Sequence, residues 1–262
     1  MARLDAELVA RGIAGSRARA QELIKGGQIK LDGNICQKPS KQIDENTVIT
    51  MDGEGLAYVG RGGLKLEKAI DIGNIDLSGS VCMDIGASTG GFTDCMLQNG
   101  AVKVYAVDVG HDQLAEKLCS DSRVVNLERT DIRTLDSNII TENIDFISVD
   151  VSFISLTLIL PHISRFLRKD GIAALLIKPQ FEAGRENIGK NGIVKSRKVH
   201  MNVLAKIKEE FRKNGFSLTA FCTSPVKGGS GNIEYLAVLK NSDVSDAAVD
   251  FQALVAEAFS QK

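Results

Sequence analysis

Two lysines and two acidic residues stand where they could act together on a proton: Lys65, Asp150, Lys178 and Glu234. Five apolar residues precede Lys178, and partial burial at the mouth of such a strand would lower the pKa of its ammonium towards that of a useful base. Asp150 and Glu234 would supply compensating charge. Taken singly, each lysine is more often a solvated surface residue, so it is the order of the four charges that favours catalysis.

A glycine-rich turn follows an apolar run in the segment Cys82-Met83-Asp84-Ile85-Gly86-Ala87-Ser88-Thr89-Gly90-Gly91-Phe92. Its glycines would let a ligand approach the backbone at the carboxyl end of a strand, where open α/β sheets bind ligands. The spacing matches neither GxGxxG nor GxxxxGK(S/T), the patterns of phosphate-binding loops. An acid at position 84 would repel a pyrophosphate and suit a cation, which disfavours a dinucleotide-dependent oxidoreductase.

Two further acids follow the next two apolar runs. Asp108 lies 22 residues after Gly86, where a carboxylate can hold ribose hydroxyls, and Asp131 could reach an adenine amino group. Each acid alone could equally be a helix cap or turn residue. Together they favour a bound ligand, and the predicted cofactor-binding residues are Asp84, Gly86, Ala87, Ser88, Thr89, Gly90, Gly91, Phe92, Asp108, Asp131 and Asp150.

The elements that must position these residues follow from hydrophobic periodicity. Apolar β-branched runs predict seven strands, at residues 81–85, 102–107, 124–127, 144–149, 172–177, 217–222 and 235–239. Helical periods lie between most of them, at residues 92–98, 113–120, 156–167 and 199–213. This alternation predicts a mostly parallel sheet covered on both faces, with the last two strands as an antiparallel hairpin at its edge.

The N-terminal segment has a different character. Residues 1–41 carry eight Lys or Arg against four acids, and their pattern predicts two short helices and a hairpin. The boundary should fall within residues 52–55. We therefore expect a small α+β domain at 1–55, a linker at 56–60, a large α/β domain at 61–245, and a C-terminal helix or tail at 246–262.

The composition is that of an ordinary folded protein, with 262 residues, 44% of them hydrophobic, and a net charge of −1. The first residues lack the apolar core of a secretory signal and no run is long enough to cross a bilayer, which favours the cytoplasm. Five scattered cysteines indicate reduced thiols rather than disulfides or a zinc site. Three dispersed histidines give no indication of a metal.

The order of the four charges resembles the catalytic tetrad of the FtsJ-type ribose 2′-O-methyltransferases, which use S-adenosylmethionine. Residues 84–94, 150–156 and 178–182 are similar to the TlyA family in particular. The N-terminal segment, with Arg3-Leu4-Asp5, Ser16-Arg17 and Asp32-Gly33, resembles the alpha-L RNA-binding domain of small-subunit ribosomal protein four, which TlyA members carry. The resemblance implies a Rossmann-like seven-stranded sheet and methylation of a cytidine ribose 2′-hydroxyl in ribosomal RNA.

The same resemblance implies a role for each tetrad residue. Lys178 would deprotonate or polarise the hydroxyl, Asp150 and Glu234 would orient Lys178 and the hydroxyl, and Lys65 would counter negative charge on oxygen. The implied cofactor is S-adenosylmethionine without a metal. The implied partner is ribosomal RNA or a ribosomal subunit, with no membrane and no obligate protein partner.

Phosphate contacts are expected from the basic residues of the N-terminal segment and from a candidate mobile loop at residues 184–196. The predicted RNA-binding residues are Arg3, Arg11, Ser16, Arg17, Arg19, Lys25, Lys30, Lys38, Lys41, Arg61, Arg185 and Lys190. If the target nucleotide is extruded, Phe153, Phe181 and Tyr235 could support its base.

Two other functions remain open at this point. Proteins of the TlyA family are often described as haemolysins, so a membrane-active protein is one alternative. A non-catalytic RNA-binding or ribosome-assembly factor that keeps a cofactor fold is the other. The intact tetrad argues against the second, and the absence of a spanning segment or an amphipathic basic helix outside the N-terminal segment argues against the first.

Overall fold

The computed structural model describes residues 2–14, 16–44, 47–51 and 57–260. The chain forms two compact units, residues 1–57 (the N-terminal unit) and residues 58–262 (the C-terminal unit). The boundary predicted at residues 52–55 lies outside the described residues, as does residue 56 of the predicted linker.

The N-terminal unit contains the two predicted helices and hairpin. Its elements are β1 (Ala2–Arg3), α1 (Leu4–Ala10), α2 (Arg17–Lys25), β2 (Ile29–Leu31), β3 (Asn34–Ile35), β4 (Gln42–Ile43) and β5 (Ile49–Met51). Strand β2 pairs with both β3 and β5, and β1 pairs with β4. The apolar face of each helix packs on β2 in a small core that includes Leu4, Leu8, Ile24 and Ile29.

The C-terminal unit is built on a seven-stranded sheet in the order β11-β12-β10-β9-β6-β7-β8. Its strands are β6 (Val81–Ile85), β7 (Lys103–Val107), β8 (Val124–Leu127), β9 (Ile144–Val149), β10 (Leu167–Ile177), β11 (Ser217–Thr223) and β12 (Tyr235–Lys240). Its helices are α3 (Gly62–Gly73), α4 (Gly91–Gln98), α5 (Glu116–Cys119), α6 (Leu160–Phe166), α7 (Pro179–Glu182), α8 (Arg197–Lys213) and α9 (Phe251–Ser260).

The sheet is buried on both faces, which explains why its strands are apolar runs rather than alternating ones. In β10, Ala173, Leu175 and Ile177 face the core formed with α6, α8 and α9, whereas Ala174 and Leu176 face the core formed with α3 and α4. The predicted fold class, a seven-stranded α/β sheet with a small N-terminal α+β unit, is confirmed.

Strands β11 and β12 form the predicted antiparallel pair at one edge of the sheet, with β12 between β10 and β11. Two helices differ from their predictions. The helix predicted at 113–120 is only α5, because the amides of Gln113 and Leu114 donate to the Glu128 carboxylate instead of continuing a helix. The helix predicted at 156–167 begins as a separate 3-10 turn at Leu156–Leu158.

Candidate active site

The four predicted catalytic residues meet at one edge of the sheet. Asp150 follows parallel strand β9 and Lys178 follows β10, so both lie at the carboxyl edge. Strand β12 runs antiparallel to β10, with Tyr235 opposite Ile177, so Glu234 at its beginning reaches the same edge. Lys65 extends from α3, which packs across that face. Sheet topology therefore joins residues that are far apart in sequence.

The tetrad forms two ion pairs. Lys178 Nζ lies 2.5 Å from Asp150 Oδ1, and Lys65 Nζ donates to Glu234 Oε2 over 2.6 Å. The Lys65 and Glu234 side chains are only 11% and 2% exposed, so their charges depend on each other for compensation. Lys178 Nζ also donates to Ser152 Oγ over 2.9 Å. Two oxygen atoms, Asp150 Oδ1 and Ser152 Oγ, thus orient this ammonium.

A cavity of about 770 Å³, which we call pocket A, opens beside Asp150. Its walls include Gly86, Ser88, Asp108, Asp131 and Asp150 among the predicted cofactor residues. Apolar side chains, among them Val109, Ile132 and Leu158, complete the lining. The pocket therefore combines three carboxylates with apolar walls, which suits a ligand that carries both a cation and an aromatic ring.

Contacts within the chain already orient two of the pocket acids, Asp108 and Asp131. Asp108 accepts hydrogen bonds from the amides of Ser88 (2.8 Å) and Gly110 (2.7 Å), which orients its carboxylate at the end of β7. Asp131 forms an ion pair with Arg133 at 2.6 Å, and the hydrogen bond from this guanidinium lowers the pKa of Asp131. Each carboxylate keeps lone pairs for a ligand hydroxyl or amine.

Asp84 is placed differently from its prediction. Its carboxylate is fully buried and accepts hydrogen bonds from Thr93 Oγ1 (2.7 Å) and Ser148 Oγ (2.9 Å), away from the wall of pocket A. Burial raises its pKa to about 6. The periodicity correctly placed this acid in a strand, but it could not show that neighbouring hydroxyls bind it inside the sheet.

The glycine-rich turn also has a packing role. A Cβ at position 86 would overlap the carbonyl oxygen of Asp150, and one at position 90 would overlap Leu118. These glycines allow chain segments to approach each other, and Gly86 alone of the predicted glycines lines pocket A. Ala87, Gly91 and Phe92 are buried and Thr89 is exposed, and none of them contributes to the pocket wall.

A second cavity of about 560 Å³, pocket B, shares the wall formed by Phe153, Ile154 and Ser155 with pocket A. The ring of Phe153 is 91% exposed, and it contacts the Phe181 ring at a centroid distance of 5.0 Å. The Phe153 backbone has φ of 64°, in the left-handed region that costs a non-glycine residue roughly 1–2 kcal/mol. Tyr235, the third aromatic residue predicted near the tetrad, is fully buried and lines neither pocket.

Pocket B also contains residues that sequence reasoning missed. Gln180 Nε2 lies 3.4 Å from Glu234 Oε1, and the buried Asn232 amide holds the loop at 184–196 through Gly192 O (2.9 Å) and the Val194 amide (3.1 Å). Gln180 lies within the segment 178–182 that resembled the family, so a signal for it was present. Nothing in the local pattern at position 232 indicated a contact across 40 residues.

Two family models match this chain. The model described as FtsJ-like methyltransferase matches residues 58–241, and the model of the S4 domain matches residues 2–49. A relative from Mycobacterium tuberculosis, named 16S/23S rRNA (cytidine-2′-O)-methyltransferase TlyA, is 39% identical over 255 residues, which are 97% of this chain and 94% of the relative. The chain belongs to the TlyA family of FtsJ-like methyltransferases.

Other relatives of this TlyA-family chain extend the comparison. The protein named Hemolysin A from Brachyspira hyodysenteriae is 40% identical, over 90% of this chain and 98% of that one. A solved structure of a Streptococcus thermophilus protein, 44% identical, covers 99% of this chain and 96% of its own with a TM-score of 0.81. The predicted resemblance to the TlyA family is thus confirmed. In the part of the chain that the structure describes, no helix has the length and apolar character of a membrane span.

The S4 domain carries most of the predicted RNA-binding residues, and several of them have partners within the unit. Arg3 and Arg17 contact the buried Asp5 carboxylate at 2.8 and 3.3 Å, and Arg11 contacts Glu7 at 2.9 Å. The remaining residues of the set are exposed or half-buried, namely Ser16, Lys25, Lys30, Lys38 and Lys41, together with Arg61, Arg185 and Lys190 of the C-terminal unit. The side chain of Arg19 lies outside the described residues.

Proposed function

We propose that this protein transfers the methyl group of S-adenosylmethionine to the 2′-hydroxyl of a cytidine in ribosomal RNA. The observation that carries the proposal is the pair of ion contacts, Lys178 with Asp150 and Lys65 with Glu234, beside a wall shared by two pockets. Asp150 lines pocket A, and Gln180 Nε2 of pocket B lies 3.4 Å from Glu234 Oε1, so each pocket lies next to a tetrad residue. This arrangement suits a reaction between a cofactor and a second substrate. Relatives from Mycobacterium tuberculosis and Campylobacter jejuni are named as rRNA cytidine-2′-O-methyltransferases.

Pocket A has the chemistry that the cofactor requires. Its volume admits a nucleoside-sized ligand with an amino-acid side arm, and its three carboxylates suit the positive charge and the hydroxyls of that ligand. Asp108 would hold the ribose hydroxyls, Asp131 the adenine amine, and Asp150 would face the cationic end. Gly86 and Ser88 would contact the ligand at the glycine-rich turn, while Asp84 would support that turn from beneath.

When bound, S-adenosylmethionine supplies the methyl group and leaves as a neutral thioether. The ribose hydroxyl forms a bond from oxygen to the methyl carbon while the bond from carbon to sulfur breaks, and the hydroxyl proton must leave as the new bond forms. We assign to Lys178 the role of deprotonating or polarising this hydroxyl, and the proton leaves by way of the Lys178–Asp150 pair. Lys65 stabilises negative charge on the oxygen, and Glu234 orients Lys65.

RNA binding would involve both units. The basic residues of the S4 domain would supply salt-dependent contacts to phosphates. Arg185 and Lys190 lie on the loop at 184–196, which Asn232 anchors beside Glu234. We assign most of the RNA recognition to residues 1–55 and methyl transfer to residues 61–245, with Arg185 and Lys190 as RNA contacts of the second segment.

The test is to incubate the protein with tritiated S-adenosylmethionine and unmodified 30S or 50S subunits, and then to map the labelled nucleotide. We expect label on a cytidine 2′-oxygen, loss of that label in Lys178→Ala, and full label in Lys213→Ala, an exposed lysine of α8. Absence of label on both subunits and on free rRNA, with cofactor binding verified by calorimetry, would favour a non-catalytic RNA-binding factor. Label on a base instead of a ribose would reject the 2′-hydroxyl as the acceptor.

A further inference from the structure

Glu182 is a buried carboxylate that the proposed reaction does not use. It is the last residue of helix α7, four residues after Lys178, and its side chain is almost completely shielded from solvent. Burial raises the pKa of this carboxyl, so its surroundings penalise the charged form. An acid is retained in such a place only where hydrogen bonds compensate for the loss of water.

Both oxygens of Glu182 bind one loop, residues 150–156, which we call the shelf loop. Ser155 Oγ donates to Oε2 over 2.6 Å, and the Leu156 amide donates to Oε1 over 2.7 Å. Ser155 Oγ in turn accepts from the Thr157 amide over 3.2 Å and caps the 3-10 turn at Leu156–Leu158. The carboxylate therefore fixes the carboxyl end of the shelf loop.

The other end of the shelf loop is held by the same short segment, residues 178–182. Lys178 contacts Asp150 and Ser152 at the beginning of the loop. Between these two anchors, the Phe181 ring packs on Phe153. One five-residue segment thus contacts the shelf loop at its beginning, its middle and its end.

The middle of the shelf loop needs this support. Phe153 combines a backbone in the left-handed region with a ring that is almost fully exposed, so neither local preference nor burial of the ring stabilises its conformation. A non-glycine residue keeps such a conformation only where surrounding contacts impose it. Phe153, Ile154 and Ser155 also form the wall shared by pockets A and B. The position of this wall sets the distance between the two ligands.

We propose that Glu182 is a positioning residue that holds Phe153 in place as the partition between pockets A and B. Glu182 is not among the residues that line pocket A or pocket B, and it acts through Ser155 and Leu156. The inference rests on the proposed function in one respect, namely that pocket B receives the nucleoside to be methylated. The contacts of Glu182 with Ser155 and Leu156 are independent of the reaction.

A fluorescence experiment tests whether Glu182 holds position 153 in place, without reference to activity. The chain contains no tryptophan, so Phe153→Trp introduces a single indole on the exposed wall. In this background we compare Glu182→Leu, which keeps the packing volume, Glu182→Ala and Glu182→Gln. Glu186→Ala removes an exposed glutamate that contacts Asn187 and serves as the matched control. Circular dichroism verifies that each variant is folded.

The expected result is a fall in indole anisotropy and a rise in iodide quenching for Glu182→Leu and Glu182→Ala only. Glu182→Gln should restore most of the signal, because its carbonyl can accept from the Leu156 amide and its amide can donate to Ser155 Oγ. In the chain that retains Phe153, Glu182→Leu should lower kcat/KM for RNA roughly 10- to 100-fold, the range for losing hydrogen bonds to a charged group. Glu182→Gln should recover most of this loss.

The proposal is overturned if anisotropy and quenching in Glu182→Leu and Glu182→Ala match the parent, or if Glu186→Ala changes them as much. If Glu182→Ala does not fold, Glu182→Leu decides the question, and Ser155→Ala, which removes one of the two donors, provides a milder version of the same comparison. Failure of the unmodified protein to methylate any RNA would contradict the proposed function, whereas the fluorescence result would still decide the role of Glu182.

Discussion

Gly228 and Glu234 are packed against each other so closely that no side chain fits between them. A Cβ at position 228 would overlap Glu234 Oε1. The glycine lies in a turn closed by hydrogen bonds from Gly228 N to Asn232 O and from Gly231 N to Gly228 O. Because Glu234 is also bound to Lys65, the turn holds this carboxylate against its partner.

Gly228→Ala should therefore impair catalysis without unfolding the protein. The new methyl group must displace the Glu234 carboxylate from Lys65, and displacement of a catalytic group by about 1 Å can cost roughly 100-fold in rate. We expect kcat/KM to fall roughly 10- to 100-fold while calorimetry shows unchanged cofactor binding. Gly229→Ala is the matched control, because a Cβ at that position meets no atom within 4 Å. Equal activity of the two variants would contradict the packing argument.

Gly86→Ala should weaken both folding and cofactor binding. Gly86 has φ of 86°, and its Cβ would overlap the backbone carbonyl of Asp150, which a side-chain rotation cannot relieve. We expect a loss of more than about 2 kcal/mol in the free energy of unfolding, from the left-handed conformation and the overlap together. Urea denaturation and calorimetric titration with S-adenosylmethionine would measure the two effects.

Gly79→Ala separates the two causes of the Gly86 effect. Gly79 has φ of 74°, but a Cβ there would meet open space. Gly79→Ala should lower the free energy of unfolding by only about 1 kcal/mol, because the left-handed backbone conformation is its only cause of strain. Cofactor binding should be unchanged. A loss as large as that of Gly86→Ala would show that conformation, rather than the contact with Asp150, limits position 86.

The stability of the C-terminal unit should depend on the protonation of Asp84. Burial raises the pKa of this carboxyl to about 6, above its ordinary value of roughly 4, so between about pH 4 and pH 6 the folded chain binds a proton that the unfolded chain has released. Stability must then decrease as pH rises through this window, by up to about 3 kcal/mol, and change no further above pH 6.

Asp84→Asn should remove this part of the pH dependence, since the amide does not titrate and the hydroxyls of Thr93 and Ser148 can rotate to accept as well as donate. Urea denaturation at pH 4.5 and pH 6.5 would give the difference for each protein. If the free energy of unfolding changes by the same amount between the two pH values in both proteins, Asp84 is not the source of the pH dependence. Glu182, whose pKa is also raised by burial, contributes with the same sign in both proteins.

The sheet could be predicted from the sequence because burial on both faces produces apolar runs that end at polar residues. The position of β12 could not, because periodicity records which residues are buried but not which strands are neighbours. The tetrad could be predicted from its order, and β-sheet register brings its members together. The role of Asp84 could not, because an acid at a strand end has the same pattern whether it faces a ligand or two hydroxyls.

Contacts between segments that are far apart in the sequence could not be predicted either. Asn232 lies in an unremarkable local pattern, and Glu182 lies in the segment 178–182 that resembles the family, but neither pattern indicates the backbone groups that they bind, at Val194 and at Leu156. A local pattern can indicate the side chain that reacts. It does not indicate the side chain that holds the reacting segment in place, because that depends on the folded arrangement.

Asp5 leads to a prediction about RNA binding that is opposite in sign to the effect expected from its negative charge alone. This fully buried carboxylate accepts two hydrogen bonds from Arg3, at 3.0 and 2.8 Å, and further bonds from Arg17 and from Gln21 at 2.9 Å. The Arg3 guanidinium holds the pKa of Asp5 well below its usual range, so the acid stays charged at any pH used for RNA binding. The carboxylate thus holds two guanidinium groups of the predicted RNA-binding face in fixed positions.

Asp5→Asn should weaken RNA binding by roughly 3- to 10-fold, although it removes a negative charge from a surface that binds phosphates. An amide offers one acceptor oxygen instead of two and no charge, and its NH2 group cannot bind a guanidinium, so Arg3 and Arg17 lose part of their fixed geometry and must be ordered again on binding. Glu22→Gln makes the same change in charge at an exposed position and should leave affinity unchanged or slightly higher.

Fluorescence anisotropy titrations of labelled rRNA fragments over a series of salt concentrations would compare the two variants, and thermal unfolding would verify that both are folded. If Asp5→Asn and Glu22→Gln tighten binding equally, Asp5 acts only as a charge; if Asp5→Asn alone weakens it, the buried acid organises the arginines that bind RNA.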